Sequence, residues 1–243
     1  GCAYITPEML PLVELEQGQI EAIMDQIPGG AKNIQDIYPL SPLQEGMYFH
    51  HLISGDGHGD PYILTNLLSF SSQDKRSEFI DGLRFVIQRH DVLRTCVLIE
   101  GFPKALQVVL REVELPLEQL PIEGDKEILP QVKQAIAPET LHMDLTTAPM
   151  LRTKIADDIP NGTYYLILYY HHLMMDHVGT AKVREEIAFY LSGRQDMLPE
   201  PVLYRDFIGH VLEREESGQG EQYFTELYGD IETPTYPFNL TDT

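Results

Sequence analysis

The most constraining stretch of this chain is an apolar, strand-like run, Tyr-Tyr-Leu-Ile-Leu-Tyr-Tyr at 164–170. It passes straight into His171 and His172 and then, after Asp176, into a helical pattern. Asn161-Gly162 before the run is a turn signal, and residues 151–156 supply a partner strand on its other side. Val178, Val183, Ile187 and Leu191 recur at helical spacing, and Gly193 ends that helix. Any fold for this chain must therefore place a strand pair and set a helix directly after its second strand.

The rest of the chain extends this pattern irregularly. A short amphipathic helix is predicted over 14–27, stopped by Pro28-Gly29-Gly30. Ser41-Pro42-Leu43-Gln44 reads as a helix start, with Ser41 as N-cap, Pro42 in the first turn and Gln44 as the reciprocal cap. A strand follows at 62–70, then a helix carrying Phe79, Ile80, Leu83, Val86 and Ile87 and ending near His90. Residues 93–99 and 105–110 flank Glu100-Gly101-Phe102-Pro103 as a hairpin. Further helices are predicted over 127–137, 205–216 and 221–228. This irregular alternation fits an α/β mixed sandwich better than a strict doubly wound sheet. The compact part is expected to begin near Ile34, with residues 1–33 as a connector, which implies a chain cut from something longer.

Composition narrows the function classes. With 43 % hydrophobic residues the chain can bury a sizeable core. A formal net charge of -21 repels phosphate backbones and anionic lipid, so neither nucleic acid nor a membrane is an expected partner. No apolar run approaches a membrane span, and the first residues carry no secretory signal, so the expectation is a cytoplasmic protein. Of the two cysteines, Cys2 lies in a frayed terminus and Cys96 in an apolar run, where it reads as a buried reduced thiol. No zinc-type cysteine spacing exists, and no metal site is expected.

The chemistry sits in Tyr169-Tyr170-His171-His172-Leu173-Met174-Met175-Asp176-His177-Val178-Gly179. Neighbouring strand residues point to opposite faces, so one histidine faces a site and the other the packed side. Periodicity does not choose between them. Three readings compete: two packing histidines with Asp176 capping the next helix; a metal site of His171, His172, Asp176 and His177; or one histidine as general base or positioning group with Asp176 holding the geometry. The opposed directions of adjacent histidines weaken the second.

This run resembles the His-His-x-x-x-Asp-Gly motif of nonribosomal peptide synthetase condensation domains and their relatives, the chloramphenicol acetyltransferase-like acyltransferases. Asp36-Ile37-Tyr38-Pro39-Leu40-Ser41-Pro42-Leu43-Gln44-Glu45-Gly46-Met47 resembles that family's opening motif. Arg89-His90-Asp91-Val92-Leu93-Arg94-Thr95 resembles its Arg-His-Glu-x-Leu-Arg-Thr motif, and Tyr204-Arg205-Asp206-Phe207 its Tyr-x-Asp-Tyr motif. The four motifs occur in family order. His177 replaces the usual glycine of the first motif, although Gly179 follows.

The resemblance implies a chloramphenicol acetyltransferase-like mixed sandwich, one lobe of a two-lobed domain built around a tunnel. On it, residues 1–33 are a linker after an upstream carrier domain, 34–200 the N-terminal lobe and 201–243 the crossover into a missing C-terminal lobe. The implied enzyme is an acyltransferase-type, amide-forming condensation domain, inactive as this fragment alone. Its substrates arrive as thioesters on the phosphopantetheine arms of upstream and downstream peptidyl carrier domains. An adenylation domain is implied in the same synthetase, and no cofactor is bound directly. The family assigns catalysis to the second histidine, here His172, and a supporting role to His171. Asp176 is implied to be structural and paired with Arg89 or Arg94, with His177 and Gly179 beside it.

The opening motif also resembles domains that receive a peptide from upstream, some of which epimerise the donor as well. Those carry His-His-(Ile/Leu)-x-x-x-x-Gly-Asp near the N-terminus. Here His50-His51-Leu52 is followed by Gly55-Asp56 and by Gly59-Asp60, one spacing too short and the other too long. His50 and His51 are thus either epimerisation-linked or simply a helix end leading into a Gly-rich loop. The rival to an enzyme is a condensation-like module that recruits a partner without catalysis. The intact His171, His172 and Asp176 favour the enzyme.

Overall fold

The computed structural model describes residues 4–54, 59–124, 126–137 and 141–231. Two sheets carry the architecture. The first, antiparallel, has the order β1-β4-β3, from Ile34–Pro39, Leu106–Leu110 and Thr95–Leu98. The second has the order β2-β7-β6-β5, from Ile63–Phe70, Thr163–His171, Leu151–Asp158 and Leu117–Gln119. Its last pair is parallel and the others antiparallel. Seven α-helices are described: α1 Gln17–Gln26, α2 Pro42–Ile53, α3 Gln73–Arg89, α4 Ile128–Gln134, α5 His177–Leu191, α6 Tyr204–Glu216 and α7 Gln219–Tyr228.

The local signals account for most of these elements. At α2, Ser41 and Gln44 form the expected capping box, with Ser41 N–H donating to Gln44 Oε1 at 2.9 Å. Gly29, at φ 87°, supplies the left-handed residue that lets the chain turn after α1. The β6–β7 connection turns on Gly162 at φ 60°, as Asn161-Gly162 indicates. Strand β7 is buried from Tyr165 through His171 and lies centrally in its sheet, in register from Ile63↔His171 to Phe70↔Tyr164 with β2. Helix α5 packs on α3 across Gly82, where an added Cβ would lie 3.1 Å from Ile187 Cγ2.

Three elements depart from the sequence reading. Strand β1 is not apparent from pattern, because Gln35 and Asp36 interrupt its alternation. A register shift between Ile34 and Asp36 accommodates both. The three-residue β5 is too short to show periodicity. The larger correction concerns the leading segment. Ile5, Leu10, Leu15, Ile20, Ile23 and Ile27 are buried in one cluster with Ile34, Ile37, Cys96, Leu98 and Leu106. The packed body therefore begins at Ile5 and not near Ile34. This segment covers one face of the first sheet, and Val97, from the other face of β3, joins the main core.

At the far end α6 docks on the same sheet through Ile208, which contacts Tyr38 and Val109. Two polar contacts hold it there. Asp91 accepts from the Tyr204 N–H at 2.9 Å, and Arg205 pairs with Asp36 at 2.9 Å. No residue of α7 is buried. Cys96 is fully buried as expected, and burial pushes its thiol up to about 12. Cys2 and Asp56 lie outside the described residues. Among the described residues, no helix is long and apolar enough to cross a membrane.

Candidate active site

The junction from β7 to α5 builds the site. His171 is the last residue of β7 and fully buried. His172 continues the pairing with one more bond, its N–H donating to Tyr62 O at 2.8 Å. The chain then turns, with Met174 N–H on His171 O, and Asp176 caps α5 by accepting from Gly179 N–H at 2.7 Å. That bond, with smaller help from His177, Val178 and His172, holds the Asp176 carboxyl below its ordinary range against a slight burial effect. Strand alternation thus sends His171 into the core and His172 into a cleft of about 680 Å³.

Five pieces of chain wall this cleft: the start of α2 with Met47, the end of α3 with Val92, the 173–176 turn, the start of α5, and α6 through Tyr204, Phe207 and Val211. Its size is that of a small-molecule pocket, and most of its walls are apolar. Gln44 joins two walls, because its Nε2 donates to Leu173 O at 3.1 Å as well as to Gln107 Oε1. Burial, with Asp176 and Asp91 nearby, raises Tyr204 to about 12, so its phenol stays protonated. His172 Nδ1 is buried without a hydrogen-bond partner among the described residues. No carboxylate among them fixes its tautomer, unlike the histidine of a catalytic triad.

The expected ion pair is absent among the described residues. Asp176 is exposed and serves as a helix cap; neither arginine pairs with it. Arg89 does reach α5, but it meets another carboxylate, Glu186 Oε2 at 3.1 Å, and anchors on Pro199 O at 2.7 Å. Arg94 is buried elsewhere, donating to Gln35 Oε1 and to the carbonyls of Leu110 and Arg111. Glu186 has 1 % exposure and also bonds His90 Nε2 at 2.9 Å. Its only sequence signal is an acidic residue beside Val183 and Ile187 in the apolar pattern of α5. His177 is exposed at the first position of α5, and Gly179 lines the cleft.

A second cluster lies behind the junction. Asp60 Oδ2 meets His51 Nδ1 at 2.6 Å and His171 Nε2 at 3.1 Å, and Asp60 Oδ1 accepts from Tyr62 N–H at 2.9 Å. Burial alone would raise Asp60, but these three bonds outweigh it and hold the carboxyl below the usual carboxylate range. His171 Nδ1 accepts from Leu173 N–H at 3.1 Å, so its Nε2 carries the proton. A metal here would need a lone pair on that Nε2, so the cluster is a hydrogen-bonded relay. Of the Gly59-Asp60 pair, Asp60 engages His51; Gly55-Asp56 lies outside the described residues. His50 is exposed in the last turn of α2, and neither His50 nor His51 lines the His172 cleft.

Comparison with known proteins gives a consistent result. The Condensation domain family matches residues 34–230. The chain is 38 % identical over 239 residues to malpibaldin synthetase of Mortierella alpina, covering 98 % of this chain and 4 % of that protein. It is 29 % identical over 213 residues to tyrocidine synthase 2 of Brevibacillus parabrevis, covering 84 % and 6 %. The condensation domain of the monacolin K polyketide synthase MokA superposes with a TM-score of 0.62 at 17 % identity, over 84 % of this chain and 45 % of that one. The starter condensation domain of the rhizomide synthetase RzmA gives 0.61 at 18 %, over 83 % and 51 %. The chain thus spans a few per cent of those synthetases and about half of those solved chains, with the mixed α/β, chloramphenicol acetyltransferase-like fold of a condensation-domain lobe.

Proposed function

The chain belongs to the condensation-domain family, and from that premise we propose that it is the N-terminal lobe of a domain joining two carrier-bound thioesters through an amide bond. What carries the reading is His172, set at the strand-to-helix junction and open to an apolar cleft with Asp176 at its edge. The substrates ride on the phosphopantetheine arms of upstream and downstream peptidyl carriers, loaded by an adenylation domain of the same synthetase. The acceptor amine attacks the donor carbonyl, the C–S bond breaks, the thiolate leaves, and the amine's proton passes to solvent or to the thiolate.

A thioester is already activated, so the protein need supply no nucleophile. Holding amine and carbonyl in attack geometry accounts for much of the acceleration. Among the described residues no carboxylate meets His172, which favours a hydrogen-bonding, positioning role over that of a base oriented by an acid. The other wall of the tunnel belongs to the second lobe, so this lobe alone is inactive.

We assign the finer, epimerising activity to the second cluster. Asp60 takes one nitrogen of His51, and the ring of His51 is partly exposed. With Nδ1 held by Asp60, His51 Nε2 is left as a base to take the donor α-proton, and reprotonation by solvent on the opposite face completes the epimerisation. The experiment is the full-length synthetase with both carriers loaded, followed by mass spectrometry in D₂O. Amide product supports condensation over mere partner recruitment. Deuterium at the donor α-carbon, lost in His51→Ala, supports epimerisation; product without exchange from an L-donor removes it.

A further inference from the structure

We propose that His90 is a second functional imidazole of the cleft, presenting Nδ1 as a hydrogen-bond acceptor to the acceptor's amine; this rests on the condensation reading. His90 caps the C-terminal end of α3 and lines the same cleft as His172. Its Nε2 lies 2.9 Å from Glu186 Oε2, the oxygen that also accepts from Arg89 Nε. A carboxylate paired with a guanidinium only accepts, so His90 donates from Nε2. In the neutral ring the lone pair is then on Nδ1. That nitrogen has no hydrogen-bond partner among the described residues and remains open to solvent on a ring 23 % exposed.

The two imidazoles of the cleft are therefore unequal. Among the described residues His172 has a buried, unsatisfied Nδ1 and no acid behind it. His90 has its tautomer set by a buried acid, the device that orients working histidines. Arg89 ties the same acid to Pro199 O, so the assembly is held from both sides. An acceptor in a cleft with mostly apolar walls is costly to desolvate unless a donor meets it. The amine of a thioester-borne amino acid is such a donor.

The alternative is a strut, in which His90 only joins α3 to α5. Two substitutions in the full-length protein separate these roles. In His90→Gln the amide nitrogen reaches the Nε2 position and keeps Glu186, but nothing accepts at Nδ1. In His90→Asn the amide oxygen lies near Nδ1 and Glu186 is lost. The assay uses leucyl-pantetheine thioester as acceptor, matched to the apolar walls, and the carrier-bound donor. His90→Gln should keep the wild-type melting temperature and lose about tenfold in kcat/KM, one lost hydrogen bond. His90→Asn should melt lower yet retain part of the rate. Wild-type kcat/KM in His90→Gln, with slowing only in His90→Asn, would overturn the proposal. A second readout needs no turnover: the ¹⁵N resonance of His90 Nδ1 should move to lower frequency when an unreactive leucyl-pantetheine amide saturates the protein. Saturation without that movement also overturns it. Absence of amide product from the wild type refutes the condensation reading instead, and the nitrogen resonance still decides whether His90 meets an amine.

Discussion

Asp60 satisfies two histidine rings with one oxygen and a backbone N–H with the other. Asparagine in its place must turn its NH₂ toward a donor in either orientation. Asp60→Asn should therefore cost about 1–3 kcal/mol in urea unfolding, the price of an unsatisfied buried group. Because Asp60 titrates below its unfolded value of about 3.9 when folded, its contribution is complete above that pH and lost as pH falls through the folded value. The gap between wild type and Asp60→Asn should shrink as the pH falls below about 4. Asp176→Ala removes a helix cap and should cost about 0.5–2 kcal/mol, with no sign of a broken ion pair in its salt dependence. At this scale strand alternation made the divergence of His171 and His172 legible, although only the family resemblance indicated which faces the cleft. The contacts of Asp60 with His171 and of Glu186 with His90 were not legible, since each joins positions about a hundred residues apart and local pattern carries no such distance.

Helices α3 and α5 meet where α3 lacks a side chain. A Cβ on Gly82 would come within 3.1 Å of Ile187 and 3.2 Å of Tyr190. Gly82→Val should push the helices apart and destabilise by about 1–3 kcal/mol. Because α5 carries Glu186, the shift should also weaken its hold on Arg89 and His90. Unchanged unfolding in urea would contradict this packing. Elements with full periods, such as β7 and α5, were readable within a residue or two, and α3 at its C-terminal end. Strand β1 was hidden by the bulge that accommodates Gln35 and Asp36. The leading segment looked like a connector because its apolar residues are spread thinly between prolines, and only tertiary packing shows them covering a sheet.

For the whole molecule, 38 acidic against 17 basic side chains make self-repulsion a general burden on the folded state. The melting temperature should rise by several degrees between about 10 and 100 mM NaCl, as the Debye length falls from about 30 to about 10 Å. A fall over that range would mean that attractive pairs dominate. The central claim is that the cleft at His172 forms the amide bond, and it is tested most directly by single-turnover transfer between loaded carriers in the full-length synthetase. His172→Ala should unfold like the wild type and form product about a hundredfold or more slowly, the scale on which lost orientation of the reacting groups is felt. Equal rates in the two proteins would contradict the account.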